Sequence, residues 1–362
     1  MRGLAVVSVA ALVACKSGPD LPACGSAPPL TVTPQALDAV RGLVPLGNLN
    51  PPGHTFPTDH LYLYPTPGAP ASAVVAPGHA WITSVQTSES PTPAPATSDY
   101  SLTLAPCDDV RLTFMHVSRL ASSLASQVGS GGHCEEYDTG GRHYRNCQKD
   151  TDIEVAAGDA LGEADATLDF GARDERAPEL SWVSPKRIRD EQKHVVCPLD
   201  LFEAGVRDDL YARLGSYDGT RLRTVEPRCG RLAQDLAGTA QGLWYHHGSS
   251  DSPEDPHLAL VHDNVDPTAP AFSVGTSVPG LGPGVFGFTP ASTGVVNRDF
   301  ADVVPGATYC WDLINFYDGT PLNGRIVIAF TSLASLALRY DGGAACGAGP
   351  FAVGAEGVVF DR

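Results

Sequence analysis

The segment GHTFPTDH, residues 53–60, places two histidines and one aspartate close together, immediately before the apolar run HLYLYP. Imidazole nitrogens and carboxylate oxygens are ligands that zinc accepts in proteins. His54, Asp59 and His60 are therefore candidate metal ligands at the start of a predicted strand. A polar loop that forms hydrogen bonds in a cleft without an ion would use the same side chains, and the spacing leaves both interpretations open.

A further carboxylate, Asp169, lies within the short segment TLDFGARD, which we predict to be a β-strand. A carboxylate that is buried needs a partner, because burying an unpaired charge is costly. Asp169 is therefore a fourth candidate ligand. Alternatively, its partner is another polar side chain and no ion is bound.

Short apolar runs separated by turn residues predict the strands that would position these side chains. Such runs occupy residues 60–120, 153–174 and 235–362. Residues 34–47 and 198–217 have the pattern of amphipathic helices. The Gly-rich stretch 129–147 predicts a loop closed by a disulfide, and Ala156-Ala157-Gly158-Asp159 predicts a hairpin turn.

The N-terminal segment 1–15 resembles the signal peptide of a bacterial lipoprotein. Its apolar run is too short to span a bilayer and ends in Leu12-Val13-Ala14-Cys15. The resemblance implies that Cys15 is lipidated and anchors the mature chain to a membrane. Lys16, in the position after the cysteine, implies the outer membrane of a Gram-negative-type bacterium. An ordinary secretory signal with an incidental cysteine is the alternative.

Eight cysteines remain besides Cys15, and none of them form a CxxC pair. In an exported chain, an even number without this spacing favours disulfides over a zinc–thiolate site. Short sequence separations favour three pairs and leave the fourth by subtraction: Cys134–Cys147, Cys197–Cys229, Cys310–Cys346 and Cys24–Cys107.

Composition narrows the fold class and the partners. The 362 residues carry a net charge of −17, include 38 glycines and 31 prolines, and are only 18% charged. This predicts a mainly β, loop-rich protein, and it argues against nucleic acid as a partner, because phosphate contacts need clustered basic residues. We divide the chain into a signal (1–15), a tether (16–40), a β domain (41–178), a connecting region with a short helix (179–234) and a C-terminal antiparallel β-barrel or sandwich (235–362).

The C-terminal region contains no catalytic motif, but it is rich in aromatic residues near predicted strand ends. Trp244, Tyr245, Trp311 and Tyr317 are the most prominent. Aromatic side chains in such positions line clefts in some proteins and fill cores in others. We expect these four to belong to the core.

Several segments between residues 46 and 174 follow the motif order of lysostaphin-type peptidoglycan endopeptidases. The segment 70–85, PASAVVAPGHAWITSV, resembles the stretch after the first metal motif of that family. TFMHVSRL resembles the family's Y-x-H-L-S segment, and IEVAAGDALGEA resembles its V-x-x-G-x-x-I-G-x-x-G segment. TLDFGARD stands where the family has HLHFE. The resemblance implies the duplicated hybrid motif fold, a sandwich of antiparallel β-sheets.

The resemblance also implies a site that has changed. The family holds a hydrolytic zinc ion through H-x-x-x-D and the second histidine of H-x-H, while further histidines assist proton transfer. In this sequence Phe56 and His60 occupy the two positions of the first motif, and Thr167 and Asp169 occupy those of the second. His116 matches a catalytic histidine of the family and is unchanged.

Two functions follow from this pattern. The first is a non-catalytic relative that binds peptidoglycan or an envelope protein through the old cleft, and the missing histidines favour it. The second is a zinc-dependent peptidoglycan endopeptidase with rearranged ligands. There His60, Asp169 and one of His54 or Asp59 would hold zinc, with His116 assisting proton transfer. A purely structural envelope protein is a third interpretation.

Overall fold

The structure is a computed structural model that describes residues 19–92, 97–139 and 141–362. Cys15 and the rest of the predicted signal segment lie outside the described residues. In the described ranges, no helix is both long enough and apolar enough to cross a membrane. The fold is mainly β, as the composition predicts.

The strands follow one another along the chain as β1 (Val40–Val44), β2 (His60–Pro65), β3 (Ser72–Val75), β4 (Ala80–Thr92), β5 (Thr97–Ala105), β6 (Val110–Val117), β7 (Arg119–Leu120), β8 (His133–Thr139), β9 (Arg142–Val155), β10 (Ala160–Ala164), β11 (Leu168–Asp174), β12 (Gly242–His246), β13 (Leu258–His262), β14 (Pro270–Val274), β15 (Gly284–Gly287), β16 (Ala307–Asn315), β17 (Pro321–Ser332), β18 (Ser335–Gly342) and β19 (Val358–Asp361). The α-helices are α1 (Ser122–Val128), α2 (Asp190–Lys193) and α3 (Ala204–Tyr211), and 3₁₀ turns span Pro185–Arg187, Pro198–Leu201 and Phe300–Asp302.

The N-terminal part consists of two antiparallel sheets that share one apolar core. The larger sheet has the order β1-β2-β11-β6-β5-β4-β9-β8, and the smaller has the order β3-β10-β7. Alternate residues of each strand point to opposite faces, so Leu61, Phe114 and Phe170 of the large sheet pack into the core with Val74 and Leu161 of the small one. The predicted sandwich of antiparallel sheets is confirmed.

The C-terminal part is a closed antiparallel barrel of β12 to β19, so of the two predicted alternatives the barrel is the one that forms. Pairing between β12 and β19 closes it, with Tyr245 opposite Asp361 and His246 opposite Phe360. Its interior is filled by large side chains, including Trp244, Phe272 and Trp311. Tyr317, which was also expected in the core, is instead 74% exposed.

Two helix predictions differ from the structure. The segment 34–47 is not a helix but contains β1, because its apolar residues Val40 and Leu43 are buried beside β2. In the segment 198–217, only α3 is α-helical, and the 3₁₀ turn that starts at Pro198 precedes it. A pattern of apolar residues over so short a segment fits a helix and a buried strand equally well.

Two loop predictions also need correction. The stretch 129–147, predicted as a loop, contains the hairpin of β8 and β9, in which Cys134 is directly opposite Cys147. The turn at 156–159 does not close a hairpin, because β9 pairs with β4 in the large sheet whereas β10 pairs with β3 and β7 in the small one. That turn therefore connects the two sheets.

All four predicted disulfide pairs are present. The pair Cys24–Cys107 ties the segment before β1 to the large-sheet domain. Leu30, in the same segment, is fully buried and forms a bridge with Phe202. The described part of the predicted tether thus packs against the domain that follows it.

Candidate functional site

His60 is the first residue of β2 and lies on the face of the large sheet that points away from the apolar core. Leu61 and Leu63 point into the core, so the alternation of the strand places His60 and Tyr62 on the outer face. His60 is nevertheless only 3% exposed. Its Nδ1 lies 2.9 Å from Asp59 Oδ1, and its Nε2 lies 3.3 Å from Asp169 Oδ2. Both ring nitrogens therefore face a carboxylate.

Asp169 reaches this position through the register of β11. Gly171 pairs with His60 and Asp169 pairs with Tyr62, so Asp169 and His60 are diagonal neighbours on adjacent strands. Asp169 is 2% exposed. Its Oδ2 lies 3.4 Å from His116 Nε2 as well as close to His60. Its other oxygen, Oδ1, is buried and has no hydrogen-bond partner among the described residues.

His116 lies near the end of β6, and its backbone has a φ of 65°. A non-glycine residue in this left-handed region is uncommon and costs on the order of 1 kcal/mol. Its Nδ1 lies 2.8 Å from Asp99 Oδ2, so the ring is held between Asp99 and Asp169. Backbone strain at a histidine that connects two carboxylates marks this position as a candidate functional residue.

Asp59 and His54 complete the cluster on the other side of His60. Asp59 Oδ2 accepts a hydrogen bond from Gln192 Nε2 at 3.2 Å and lies 3.7 Å from a guanidinium nitrogen of Arg189. The ring of His54 contacts that of His60 edge-on, with 5.6 Å between centroids. Because Asp59 faces Nδ1 and Asp169 faces Nε2, the two carboxylates lie at different edges of the His60 ring.

The carboxylates determine which histidines carry charge. Burial lowers the pKa of His60, but the Asp169 and Asp59 carboxylates outweigh it and raise the pKa to about 9. The hydrogen bond to Asp99 raises the pKa of His116. Burial and the neighbouring His60 lower the pKa of His54. Although burial opposes it, the contact with His60 holds the pKa of Asp59 well below its usual range.

Phe56, which the predicted resemblance aligns with the family's first histidine, packs against the barrel. Its ring packs on Tyr245 and His257 of the barrel, at centroid distances of 5.0 and 5.3 Å. Its backbone N–H donates to Glu254 Oε2 at 2.9 Å. Burial raises the pKa of Glu254 to about 7. The loop that carries His54 and Asp59 is therefore attached to the barrel.

A cleft of about 1330 Å³ runs from this cluster across the outer face of the large sheet. Most of the side chains that line it carry a hydroxyl, amide or charged group, and Tyr137 of the β8–β9 hairpin is an aromatic member. The strand residues that line it include Thr83, Ser84, Gln86, Thr103, Arg111, Thr113, Met115, Gln148, Asp150 and Arg173.

The geometry can be compared with what a zinc ion requires. Three protein ligands would have to converge on one point about 2 Å from each donor atom. In the described ranges, the only three potential ligand atoms that lie within 4.8 Å of one another belong to Cys24, Cys107 and Asp108, where the two cysteines form a disulfide. Asp169 Oδ2 lies near His60 Nε2 and near His116 Nε2, but the three atoms do not surround one shared point. This arrangement does not fit zinc, and the metal assignment stays a prediction.

The structure brings together all five predicted site residues, His54, Asp59, His60, His116 and Asp169. It adds partners that the sequence did not indicate: Asp99, Arg189, Gln192 and Glu254. These residues lie on other elements and share no spacing with the predicted ones. The large-sheet pairing brings Asp99 close, the folding back of the connecting region brings Arg189 and Gln192 close, and the barrel supplies Glu254.

We find no match to this chain among protein-family models, curated proteins or solved structures. The resemblance to lysostaphin-type endopeptidases rests on the order of the motifs, and it stays a prediction.

Proposed function

We propose that this protein is a non-catalytic, envelope-located relative of lysostaphin-type endopeptidases that binds peptidoglycan in the cleft beside His60. The observation that carries the proposal is the contact of both His60 ring nitrogens with carboxylates. A metal ligand must offer a free nitrogen lone pair, whereas an imidazole between two carboxylates is stabilised with both nitrogens protonated. Phe56, which offers no donor atom, supports the same conclusion.

The chemistry of the cleft suits the peptide part of peptidoglycan. Peptide amides and carboxylates need hydrogen-bond donors and acceptors spread along a groove, together with a few cations. Thr103, Gln86 and Gln148 supply neutral groups, and Arg111 and Arg173 supply positive charge. Carboxylates of the cleft, such as Asp150, supply acceptors for peptide amides. Such a surface binds an extended polar chain through many modest contacts.

The signal-like segment and the disulfides support the proposed location. The lipobox-like segment at Cys15 implies a lipid anchor, and four disulfides are typical of proteins in an oxidising compartment. An outer-membrane lipoprotein with a peptidoglycan-binding cleft would connect that membrane to the cell wall.

Co-sedimentation with purified peptidoglycan tests the proposal. Gln86 and Gln148 are cross-strand partners in the cleft and are partly exposed, so the double variant Gln86→Ala, Gln148→Ala should fold normally. We expect the wild-type protein to sediment with the polymer and this variant to bind several-fold more weakly. Tyr317→Leu, a change at an exposed residue outside the cleft, serves as the matched control. Absence of co-sedimentation by the wild type would refute the proposal.

The alternative is a zinc-dependent endopeptidase with rearranged ligands. It is favoured by two buried atoms without a hydrogen-bond partner among the described residues, Asp169 Oδ1 and His60 Nε2. The zinc content of protein purified without chelators distinguishes the two functions. About one ion per chain, lost in the double variant His60→Ala, Asp169→Ala, would support the alternative. Under our proposal, zinc stays far below that ratio in both proteins.

A further inference from the structure

Two arginines on neighbouring strands of the large sheet are direct cross-strand partners: Arg111 of β6 and Arg173 of β11. The Cα atoms of such partners lie about 5 Å apart, and both side chains point to the same face of the sheet. That face is the outer one, because the adjacent Leu112 and Ala172 belong to the apolar core. Both arginines line the cleft beside His60. The register therefore places two cationic side chains together in one part of the cleft.

The two guanidinium groups keep most of their hydrogen-bond donors free. Like charges directly opposite each other destabilise a pair of strands, so this pairing needs a compensating partner. Arg111 donates only through Nη1, at 2.9 to 3.1 Å, to the backbone carbonyls of Cys107, Asp108 and Val110. Its Nε and Nη2 have no hydrogen-bond partner among the described residues. The guanidinium of Arg173 donates no hydrogen bond within the same ranges.

One carboxylate lies close to the arginine pair. Glu175 Oε1 lies 3.7 Å from Arg173 Nε, and Glu175 Oε2 lies 3.8 Å from His194 Nε2. The Glu175 side chain is itself 47% exposed. Arg111 forms no ion pair with any described residue. A single exposed carboxylate thus faces two arginines and a histidine, and it balances their charge only in part.

Other acidic groups of the region act on the pair more weakly. Asp108 and Asp109, in the turn between β5 and β6, contribute less than Glu175 to the pKa of Arg111, which burial and the facing arginine lower. In the sheet order β9 is three strands away from β6, which corresponds to about 14 Å. The remaining carboxylates that line the cleft are those of Asp59, which is paired with Arg189, and of Asp150 and Asp152 on β9 and Glu191 on α2.

The floor of the cleft is open between the arginine pair and His60. Gly171 and Thr113 are the cross-strand partners one step closer to His60, and Gly171 also pairs with His60 itself. Two residues advance a strand by about 7 Å, so the arginine pair lies about that far along the sheet from His60. Gly171 adds no side chain to this floor, and Thr113 adds a small one. An extended chain that ends at the arginines can therefore lie across it.

We propose that Arg111 and Arg173 form a subsite of the cleft that binds the free α-carboxylate of a peptide. The planar guanidinium group presents paired N–H donors that match the two oxygens of a carboxylate, and such charge-assisted hydrogen bonds are stronger than neutral ones. The ligand carboxylate would compete with Glu175 for Arg173. This inference rests on the proposed function for the choice of a peptide, since the peptides of peptidoglycan carry free carboxylates.

NMR titration of the isotope-labelled protein with diacetyl-L-lysyl-D-alanyl-D-alanine tests the inference, with the C-terminal amide of the same peptide as the neutral counterpart. We expect the acid to bind at least about fivefold more tightly than the amide and to shift resonances of β6 and β11. Arg173→Gln should weaken binding of the acid by about fivefold and leave binding of the amide unchanged. Arg173 is the better position for this substitution, because Arg111 also holds the turn before β6.

Glu175→Gln gives the opposite change and sharpens the test. It removes the carboxylate that competes for Arg173, so it should tighten binding of the acid and not of the amide. Arg145→Gln is the matched control, because Arg145 is an exposed arginine of the same sheet that pairs with Glu89 at 3.3 Å and lies outside the lining of the cleft. We expect this variant to bind the acid like the wild type.

Three results would overturn the inference. The first is equal affinity of the wild type for acid and amide, and the second is unchanged binding of the acid by Arg173→Gln. The third is binding of acetate as tight as that of the peptide acid, which would mean a site for any small anion.

These outcomes are distinguishable from those of the peptidoglycan test. If the wild type sediments with peptidoglycan but binds acid and amide equally, the carboxylate subsite is wrong and the proposed function stands. If the acid binds in a manner that depends on Arg173 while the wild type does not sediment with peptidoglycan, the subsite stands and the proposed function is wrong.

Discussion

In the C-terminal barrel, one face of every strand points into a closed interior, whereas in the large N-terminal sheet a second sheet covers one face only. The barrel interior is packed with rings: Trp311 contacts Phe272, Phe288, Phe300 and Tyr309. The outer face of the large sheet instead carries hydroxyl, amide and charged groups along an open cleft. The same strand alternation thus produces a dry core in one region and an open polar cleft in the other.

This difference separates the residues that stabilise the molecule from those available for chemistry. A closed, aromatic interior gains free energy from burial and leaves no space for a ligand. The sheet places ionisable groups at the edge of the cleft, where His60 and Asp169 are buried against each other. We therefore expect substitutions in the barrel interior to change stability alone, and substitutions around His60 to change stability, pH dependence and binding together.

The largest effect is expected for Trp311→Ala in the barrel. The side chain is fully buried, and its indole N–H donates to the Arg298 carbonyl at 2.8 Å. Removing it should lower the free energy of unfolding by about 4 kcal/mol, because a large cavity opens and one acceptor loses its partner. Urea unfolding measures this change. Tyr317→Ala, at an exposed ring, should change stability by less than about 0.5 kcal/mol. Similar losses for the two variants would contradict the packed-core interpretation.

Asp169→Ala should produce the next largest effect, on the sheet side of the comparison. It removes the carboxylate that His60 and His116 share and leaves His60 buried with one partner fewer. Breaking a buried ion pair in this way costs about 3 kcal/mol. Asp169→Asn keeps the shape and should cost less. If urea unfolding showed Asp169→Ala to be as stable as the wild type, the charged cluster would not be held as the structure indicates.

The sequence was most informative about structural features that depend on nearby residues. Strand alternation predicted β2, β6 and β11, and short spacing predicted three of the four disulfides, because both depend on local features of the chain. The helix expected at 34–47 was wrong since the pairing of β1 with β2, a tertiary contact, outweighed a local pattern. The β8–β9 hairpin was missed because glycines and polar residues conceal a strand pair at the sheet edge.

The candidate site was predictable in its residues but not in its connections. His54, Asp59 and His60 lie in one short segment of the sequence, residues 53–60. Asp169 and His116 were predicted from the order of the motifs. Asp99 and Gln192 carry no such signal, since one lies on a strand beside β6 and the other on α2. That His60 also faces Asp169 follows only from the register of β11 against β2. A single residue of slip would move Asp169 to the other face.

The pH dependence of stability sharpens the contrast further, since Trp311 does not titrate and His60 does. The pKa of His60 is raised from its ordinary 6.5 to about 9, so the folded state holds this proton more tightly than the unfolded state. The stabilisation is complete below pH 6.5 and is lost as the pH rises through 9. We expect the free energy of unfolding to fall by roughly 2 kcal/mol over this interval.

His60→Gln should flatten that fall in urea unfolding, because glutamine does not titrate in this interval. Histidine NMR titration of the wild type checks the same point without a substitution. A midpoint for His60 near its ordinary pKa would show that the two carboxylates do not hold the proton. In that outcome His60 would again be available as a metal ligand, and zinc content would become the decisive measurement.

The smallest effect concerns the contact that joins the two regions. Glu254 of the barrel accepts the Phe56 backbone N–H, and burial raises its pKa to about 7. Glu254→Ala leaves that N–H without its acceptor and should cost about 1 kcal/mol. Glu254→Gln keeps an acceptor and removes the charge, so above pH 7 it should be at least as stable as the wild type. Because the Phe56 loop also carries His54 and Asp59, Glu254→Ala should shift their NMR resonances, whereas Glu254→Gln should not. Unchanged resonances in both variants would mean that the barrel is a separate stable body and has no part in positioning the cleft.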